Sequence, residues 1–145
     1  MKPFTPKISL VESTANFMGA EYSLGQKDCF GIILDYLDNI GINYPQEYKG
    51  LTRESYKELY LKNPEQAKKI MIEYIEDNFK EVKIRENRPG FILLISYKDR
   101  ISLAINGGNA TAIFATEKMG IVKLPIKYYK LLRVWRPELC RNSFH

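Results

Sequence analysis

The hydrophobic pattern changes from a helical period to a strand pattern near Pro89-Gly90, and this change limits the fold more than any other feature. In the first part, apolar residues recur every three or four positions. In the second part, short runs rich in β-branched and aromatic residues are separated by Gly, Asn and Asp turns. Helices followed by strands predict an α+β fold, in which N-terminal helices pack on a C-terminal antiparallel β-sheet.

The length of 145 residues suits one compact domain with one hydrophobic core. Residues 1–20 predict an extended N-terminal arm that contains a short helix near Val11–Met18. The folded domain is expected over residues 21–137. Residues 138–145 are expected to form a loosely held tail, because they follow the last predicted strand.

Three helices are predicted in the first part from apolar spacing and from residues that favour helix ends. They run from Cys29 to about Ile40, from Thr52 to about Lys62 and from Pro64 to about Asn78. Asp28 is a good N-cap for the first of them, which places Cys29 in its first turn. The first helix is expected to be buried and to pack against the sheet.

The second part predicts a series of short strands joined by tight turns. The strands are Phe91–Tyr97, Arg100–Ile105, Ala110–Ala115, Ile121–Leu124 and Lys130–Arg136. Residues Asn106–Asn109 (NGGN) are typical of a hairpin turn, since Asn and Gly tolerate positive φ. Residues Pro125–Tyr129 predict a turn or a single helical turn before the closing strand.

Charge and composition favour a globular protein without a metal or cofactor site. The net charge is +5, but Lys and Arg are scattered among Asp and Glu, so a nucleic-acid-binding module has only the net charge in its favour. The two cysteines, Cys29 and Cys140, form no CxxC pair, and His145 is the only histidine. We therefore expect no bound metal, no cofactor and reduced thiols.

Hydrophobic stretches in the chain are short. The first thirteen residues lack the apolar stretch of a signal peptide, and the longest apolar run, Phe91–Ile95, is too short to span a bilayer. The sequence predicts a protein that is made in the cytoplasm and has no membrane partner.

Cys29 is the candidate nucleophile. A thiol reacts as its thiolate, and a helix N-terminus can lower the pKa of a cysteine below its usual value of about 8.5. A buried cysteine that serves only as a small hydrophobic side chain is the alternative, and position alone favours it.

Five sequence segments together indicate a family. They are YSLGQKDCFG at residues 22–31, GINYP at 41–45, RPGFILL at 88–94, RISLAINGG at 100–108 and KLLRVWRP at 130–137. In order and spacing they resemble the NlpC-type papain-like cell-wall cysteine peptidases, especially the members carried by phage tails and gene-transfer particles. The resemblance runs from about Tyr22 to Pro137 and implies a papain-like fold.

The resemblance also assigns roles to individual residues. It implies that Cys29 is the nucleophile and that Tyr22 helps to shape the oxyanion site. Asp28 precedes the nucleophile, where it is expected to cap the helix rather than to act as a general base. Arg100 stands where the family has its catalytic histidine, and the third polar position of the family falls near Phe114.

The difference from the family pattern that matters most for function is Arg100 in place of the catalytic histidine. An arginine stays protonated at working pH, so it can pair with a thiolate but cannot take the proton from a thiol. We therefore expect a catalytically degenerate domain that acts as a structural or interaction component of a phage-like tail, at the tip or hub. Its expected partners are other tail or particle proteins, with peptidoglycan as a further candidate.

An active enzyme is the alternative reading of the same motifs. In that case Cys29 would serve a cysteine endopeptidase or amidase that acts on peptidoglycan peptides during cell-wall penetration. It would need an unusual base, or a base supplied by a partner subunit. The thiol would then have a pKa well below that of a free cysteine.

Overall fold

A computed structural model describes residues 9–139 as an α+β structure, in which four helices precede a six-stranded antiparallel sheet. The α+β prediction is thereby confirmed. The helices are α1 (Leu10–Thr14), α2 (Cys29–Asn39), α3 (Arg53–Lys62) and α4 (Pro64–Asn78). The strands are β1 (Phe79–Val82), β2 (Ile92–Tyr97), β3 (Arg100–Gly108), β4 (Thr111–Thr116), β5 (Gly120–Pro125) and β6 (Lys130–Leu139).

Helix α2 is the centre of the helical layer. Every residue from Phe30 to Leu37 is buried, and the helix packs on β3 and β4. Helix α1 packs on α2, while α3 packs on α4. The predicted starts of α2, α3 and α4 are confirmed by side-chain caps, which come from Asp28, Thr52 and Asn63. None of the helices within residues 9–139 has the length and hydrophobicity that crossing a membrane would require.

The sheet has the strand order β1-β6-β2-β3-β4-β5, with antiparallel pairing between neighbours. Strands β2 to β5 follow one another as a meander. The last strand, β6, lies between β1 and β2 and is therefore hydrogen-bonded on both sides. The C-terminal strand thus ties the edge strand that follows α4 to the rest of the sheet.

Both faces of the sheet are buried. Alternate residues such as Leu94 and Leu103 face the helices, whereas Leu93 and Ala104 belong to a second cluster around Phe114. Because β2 to β5 form an antiparallel meander, the turns of the β2–β3 and β4–β5 hairpins lie at the same end of the sheet.

A buried carboxylate connects α2 to the segments around it. Asp35 accepts a hydrogen bond of 2.7 Å from the Lys27 ammonium and pairs with the Arg53 guanidinium. Arg53 also donates to the Gly31 carbonyl oxygen at 2.8 Å. Because the Asp35 side chain is only 10% exposed, its charge depends on these two cations. The network holds the loop before α2 and the start of α3 in place.

One strand was not predicted from the sequence, and two others were predicted to end three residues too early. Strand β1 was not expected, because four residues after a helix give too short a pattern to show alternation. Strand β3 continues through Gly108, and the hairpin turn falls at Asn109-Ala110, where both residues have positive φ. Strand β6 continues through Leu139, where Leu139 pairs with Phe79. Its pairing with β1 extends the strand past Pro137, beyond the last residue that pairs with β2.

The described part of the predicted N-terminal arm is packed on the domain. Helix α1 spans Leu10–Thr14 and is shorter than expected, and Phe17 is fully buried. The Ala20 carbonyl accepts a 2.9 Å hydrogen bond from the Ile121 amide, and the Gly19 amide donates to the Ile121 carbonyl. This segment therefore extends the pairing at the start of β5.

Gly31 allows the loop before α2 to lie against the helix. A Cβ at position 31 would lie 1.9 Å from the carbonyl oxygen of Gln26, which is a backbone atom. Replacing a helical glycine by alanine usually stabilises a helix by about 1 kcal/mol. Here we expect Gly31→Ala to lower the free energy of unfolding by about 3 kcal/mol, since the backbone must move.

Urea denaturation of Gly31→Ala measures this effect. Glu58→Ala is the matched control, because Glu58 is an exposed residue of α3 and should change the free energy of unfolding by less than about 0.5 kcal/mol. A Gly31→Ala protein that is as stable as the parent would contradict the close packing of the loop on α2.

Candidate functional site

Asp28 sets the geometry of the candidate site. One of its carboxylate oxygens accepts a 2.7 Å hydrogen bond from the Gly31 amide, and the other accepts one of 2.7 Å from the Gly25 amide. The residue is only 2% exposed. Burial raises the pKa of Asp28, and the two amides and the charge of Arg53 act against that rise. With both oxygens bound to backbone amides, Asp28 acts as the expected helix cap.

The Cys29 thiol lies at the N-terminus of α2 and faces both α4 and the sheet. Its Sγ is 3.7 Å from Sδ of Met71, to which it donates a hydrogen bond. The Tyr56 hydroxyl and the backbone of Leu103 also hydrogen-bond with it. A thiol that donates to a thioether must carry its proton, so the contact with Met71 suits the neutral form.

Burial raises the pKa of the Cys29 thiol above its ordinary value, and the nearby charge of Asp28 raises it further. The hydrogen bonds from Leu103 and Tyr56 and the charge of Lys68 lower it, but they do not outweigh burial. A helix N-terminus was expected to favour the thiolate. In this chain the effect of desolvation is larger, and the thiol is neutral near pH 7.

A cavity of about 390 Å³ opens beside Cys29, between the helices and the ends of two hairpins. We call it the Cys29 cavity. Its aromatic walls are Tyr22, Tyr56, Tyr60, Tyr97 and Phe114. Charged residues also line it, namely Lys68, Lys98, Arg100, Glu117 and Lys118. The arrangement provides a space next to the thiol that can take a small molecule or a side chain.

Tyr22, for which the family resemblance implies a part in the oxyanion site, lines the Cys29 cavity together with the thiol. The side chain is half-buried. Burial raises the pKa of Tyr22, and the charges of Asp28 and Cys29 raise it further. Its phenol therefore stays protonated and can donate a hydrogen bond to a group in the cavity.

Arg100 is the first residue of β3 and also lines the Cys29 cavity. Its side chain is 71% exposed, and its described partner is the Glu117 carboxylate, 3.5 Å away. Arg100 thus lines the same cavity as Cys29, but it forms its ion pair with Glu117, the residue that follows β4. In β4, Phe114, which the motif resemblance aligns near the family's third polar position, is a fully buried side chain.

Other residues that could carry chemistry have structural roles or lie outside the described residues. Lys27 is paired with Asp35. Trp135 is fully buried in the helix-side core. Cys140 and His145 lie outside residues 9–139. Within that range, no group of His, Cys, Asp or Glu side chains is placed to hold a metal ion.

The sequence analysis missed the helix residues that surround the thiol. Tyr56 and Tyr60 are four residues apart on α3, and Lys68 and Met71 are three apart on α4. Each pair therefore lies on one side of its helix. That spacing was visible in the sequence, but it did not reveal that both faces meet Cys29, because the packing of α3 on α4 is a tertiary contact.

The comparisons with known proteins add no identification. The chain matches no protein-family model, and it has no match among curated proteins. The interpretation of the site therefore depends on its own geometry and on the motif resemblance.

The raised pKa of the Cys29 thiol makes a prediction for alkylation. In a Cys140→Ser background, iodoacetamide should modify Cys29 at pH 7 about tenfold more slowly in the native protein than in urea. Because the folded pKa is raised, the native rate should still be rising at pH values where a free cysteine has reached its plateau. A native rate equal to that of a free cysteine at pH 7 would contradict the raised pKa.

The hydrogen bond from Tyr56 predicts the direction in which the pKa and the alkylation rate of Cys29 should change. That bond favours the thiolate, so Tyr56→Phe should raise the pKa of Cys29 further and slow its alkylation about twofold to tenfold. Tyr60→Phe is the matched control, because Tyr56 lowers the pKa of Cys29 by a hydrogen bond, whereas Tyr60 does not. Faster alkylation of Tyr56→Phe under native conditions would contradict the proposed contact.

Proposed function

We propose that the chain is a catalytically degenerate NlpC-type domain with a papain-like fold. The supporting arrangement is a cysteine at the N-terminus of a buried helix, packed on an antiparallel sheet whose strand β3 begins at Arg100. The order of these elements agrees with the order of the five motifs. Papain-like ancestry remains a proposal that depends on the motifs.

The observation that carries the degenerate assignment is the environment of the thiol. Cys29 donates to Met71, and burial raises its pKa. Peptide cleavage by a cysteine needs a base that takes the thiol proton and later returns it to the leaving amine. Among residues 9–139 the hydrogen-bond partners of the thiol are Met71, Tyr56 and the backbone of Leu103, none of which is a base of that kind.

The position of Arg100 adds to this argument. A guanidinium keeps its proton, and this one is largely exposed and paired with Glu117. An arginine beside the cavity can attract an anion, but it cannot perform the proton transfers of a histidine. The cavity thus contains the thiol, and none of the described residues that line it is a histidine.

We propose a structural or interaction role in a phage-like tail for this domain, with other tail proteins as partners. The tail assignment comes from the motif resemblance. The surface offers apolar side chains for such contacts, since Leu61, Ile84, Ile126 and Tyr128 are all exposed. Ile126 and Tyr128 lie together on the helical turn before β6 and form the most concentrated of these positions.

An active cysteine endopeptidase or amidase is the second candidate. The observation that favours it is the Cys29 cavity itself, in which Tyr22 lies near the thiol and can donate a hydrogen bond. Such an enzyme would need its base from a partner subunit. A partner that carries a histidine to the Arg100 side of the cavity would satisfy that requirement.

Digestion of purified peptidoglycan separates these two functions. The protein should release no muropeptides above the level given by Cys29→Ala, because the thiol lacks a base. Chromatography of the soluble products is the measurement. Release that depends on Cys29 would refute the degenerate assignment, and release only after addition of other particle proteins would support the partner-completed enzyme.

A second experiment tests the interaction role. A double variant with Ile126→Ser and Tyr128→Ser should associate with particles about tenfold more weakly. The serine side chains would bury less apolar surface at an interface than the side chains they replace. Co-sedimentation with purified phage-like particles is the measurement. Leu61→Ser, at the end of α3, is a control for loss of an exposed apolar residue elsewhere. A protein that never co-sediments with particles would overturn the tail assignment.

A further inference from the structure

The Cys29 cavity is unusual in having aromatic walls and an apolar mouth. Its interior is formed largely by tyrosine rings and by Phe114, which packs edge-on against Tyr97 with 5.0 Å between ring centroids. At the mouth, the side chains of Ile101 and Met119 are exposed although both are apolar. An apolar interior that continues into exposed apolar side chains is suited to an apolar ligand.

The charged residues of the same cavity are mostly basic. Four cationic side chains line it, against one carboxylate, that of Glu117. Within residues 9–139, Lys68 and Lys118 have no ion pair or hydrogen bond to a carboxylate, and Lys98 lies over the Tyr97 ring. The single ion pair, between Arg100 and Glu117, is exposed and therefore weak. The cavity consequently presents a positive potential to a ligand that enters it.

We infer that the Cys29 cavity binds a small amphipathic carboxylate, with its apolar chain between the aromatic walls and its carboxylate near the basic residues that line the cavity. The volume of about 390 Å³ lies within the range of small-molecule sites and is too small for a polymer. Apolar walls would exclude a ligand that is charged throughout. The inference goes beyond the proposed function, because it requires neither a reactive thiol nor a tail partner.

Laurate is the probe for this inference, and calorimetry below its critical micelle concentration is the measurement. Laurate should bind one to one, and about tenfold or more tightly than octanoate, since each methylene buried between apolar walls adds to affinity. Dodecanol has the same chain without the charge and should bind more weakly than laurate. Raising the salt concentration should weaken the binding of laurate and leave the binding of dodecanol nearly unchanged.

Charge variants locate the carboxylate with effects of opposite sign. Lys68→Gln and Lys118→Gln should each weaken laurate binding about twofold to fivefold, whereas Glu117→Gln should strengthen it by a similar factor. Lys69→Gln and Lys123→Gln are the matched controls, because these exposed lysines lie near the first two in sequence but do not line the cavity. The altered residues are not part of the core, so these proteins should fold.

The NMR methyl resonances of the methionines show where the alkyl chain of bound laurate lies. Laurate should shift the methyl signal of Met119, which lines the cavity, and not that of Met18, which is exposed elsewhere. Absence of binding, equal affinity for laurate and dodecanol, or charge variants that match their controls would each overturn the inference. A protein that cleaved peptidoglycan but still bound laurate in this way would refute the proposed function and leave the inference standing.

Discussion

The structure depends on the way the Asp28 carboxylate closes the start of α2. It accepts hydrogen bonds from the amides of Gly25 and Gly31, one on each oxygen. These bonds hold the preceding loop so close to the helix that Gly31 must lack a side chain. They also fix the first residue of α2, and therefore the direction in which Cys29 points, toward Met71 and β3.

The same arrangement explains why the thiol stays neutral. A helix N-terminus favours an anion, and in many reactive cysteines that effect is added to a nearby cation. Here the neighbour that caps the helix is itself a carboxylate, and the charge of Asp28 raises the pKa of Cys29. The side chains of Tyr56 and Met71 contact the sulfur, and desolvation of the thiol acts in the same direction. Cys29 thus has the position of a nucleophile without the electrostatic environment of one.

Much of the fold could be predicted because its signals are local. Asp28, Thr52 and Asn63 cap helices whose apolar spacing is clear, and all three starts were found from sequence. The strand Phe79–Val82 and the extension of β6 to Leu139 were not found, since each exists only through pairing with the other. Local propensity contains no information about such a pairing.

The site was predicted only in part for a similar reason. Cys29 and Tyr22 were identified from a contiguous motif, and they do share a cavity. Lys68 and Tyr60 line that cavity from two other helices, and no motif connects them to Cys29. The net effect of burial on a pKa also depends on tertiary packing, so the sign of the shift at Cys29 required the structure.

The central claim is that burial and the charge of Asp28 keep the Cys29 thiol neutral at physiological pH. A titration of the Cys29 13Cβ resonance, in protein that carries Cys140→Ser, measures the protonation state directly and does not depend on reagent access. We expect the resonance to keep its thiol position from pH 6 through pH 8 and to move only at higher pH, above the ordinary cysteine pKa of about 8.5. A thiolate resonance already present at pH 7 would contradict the account.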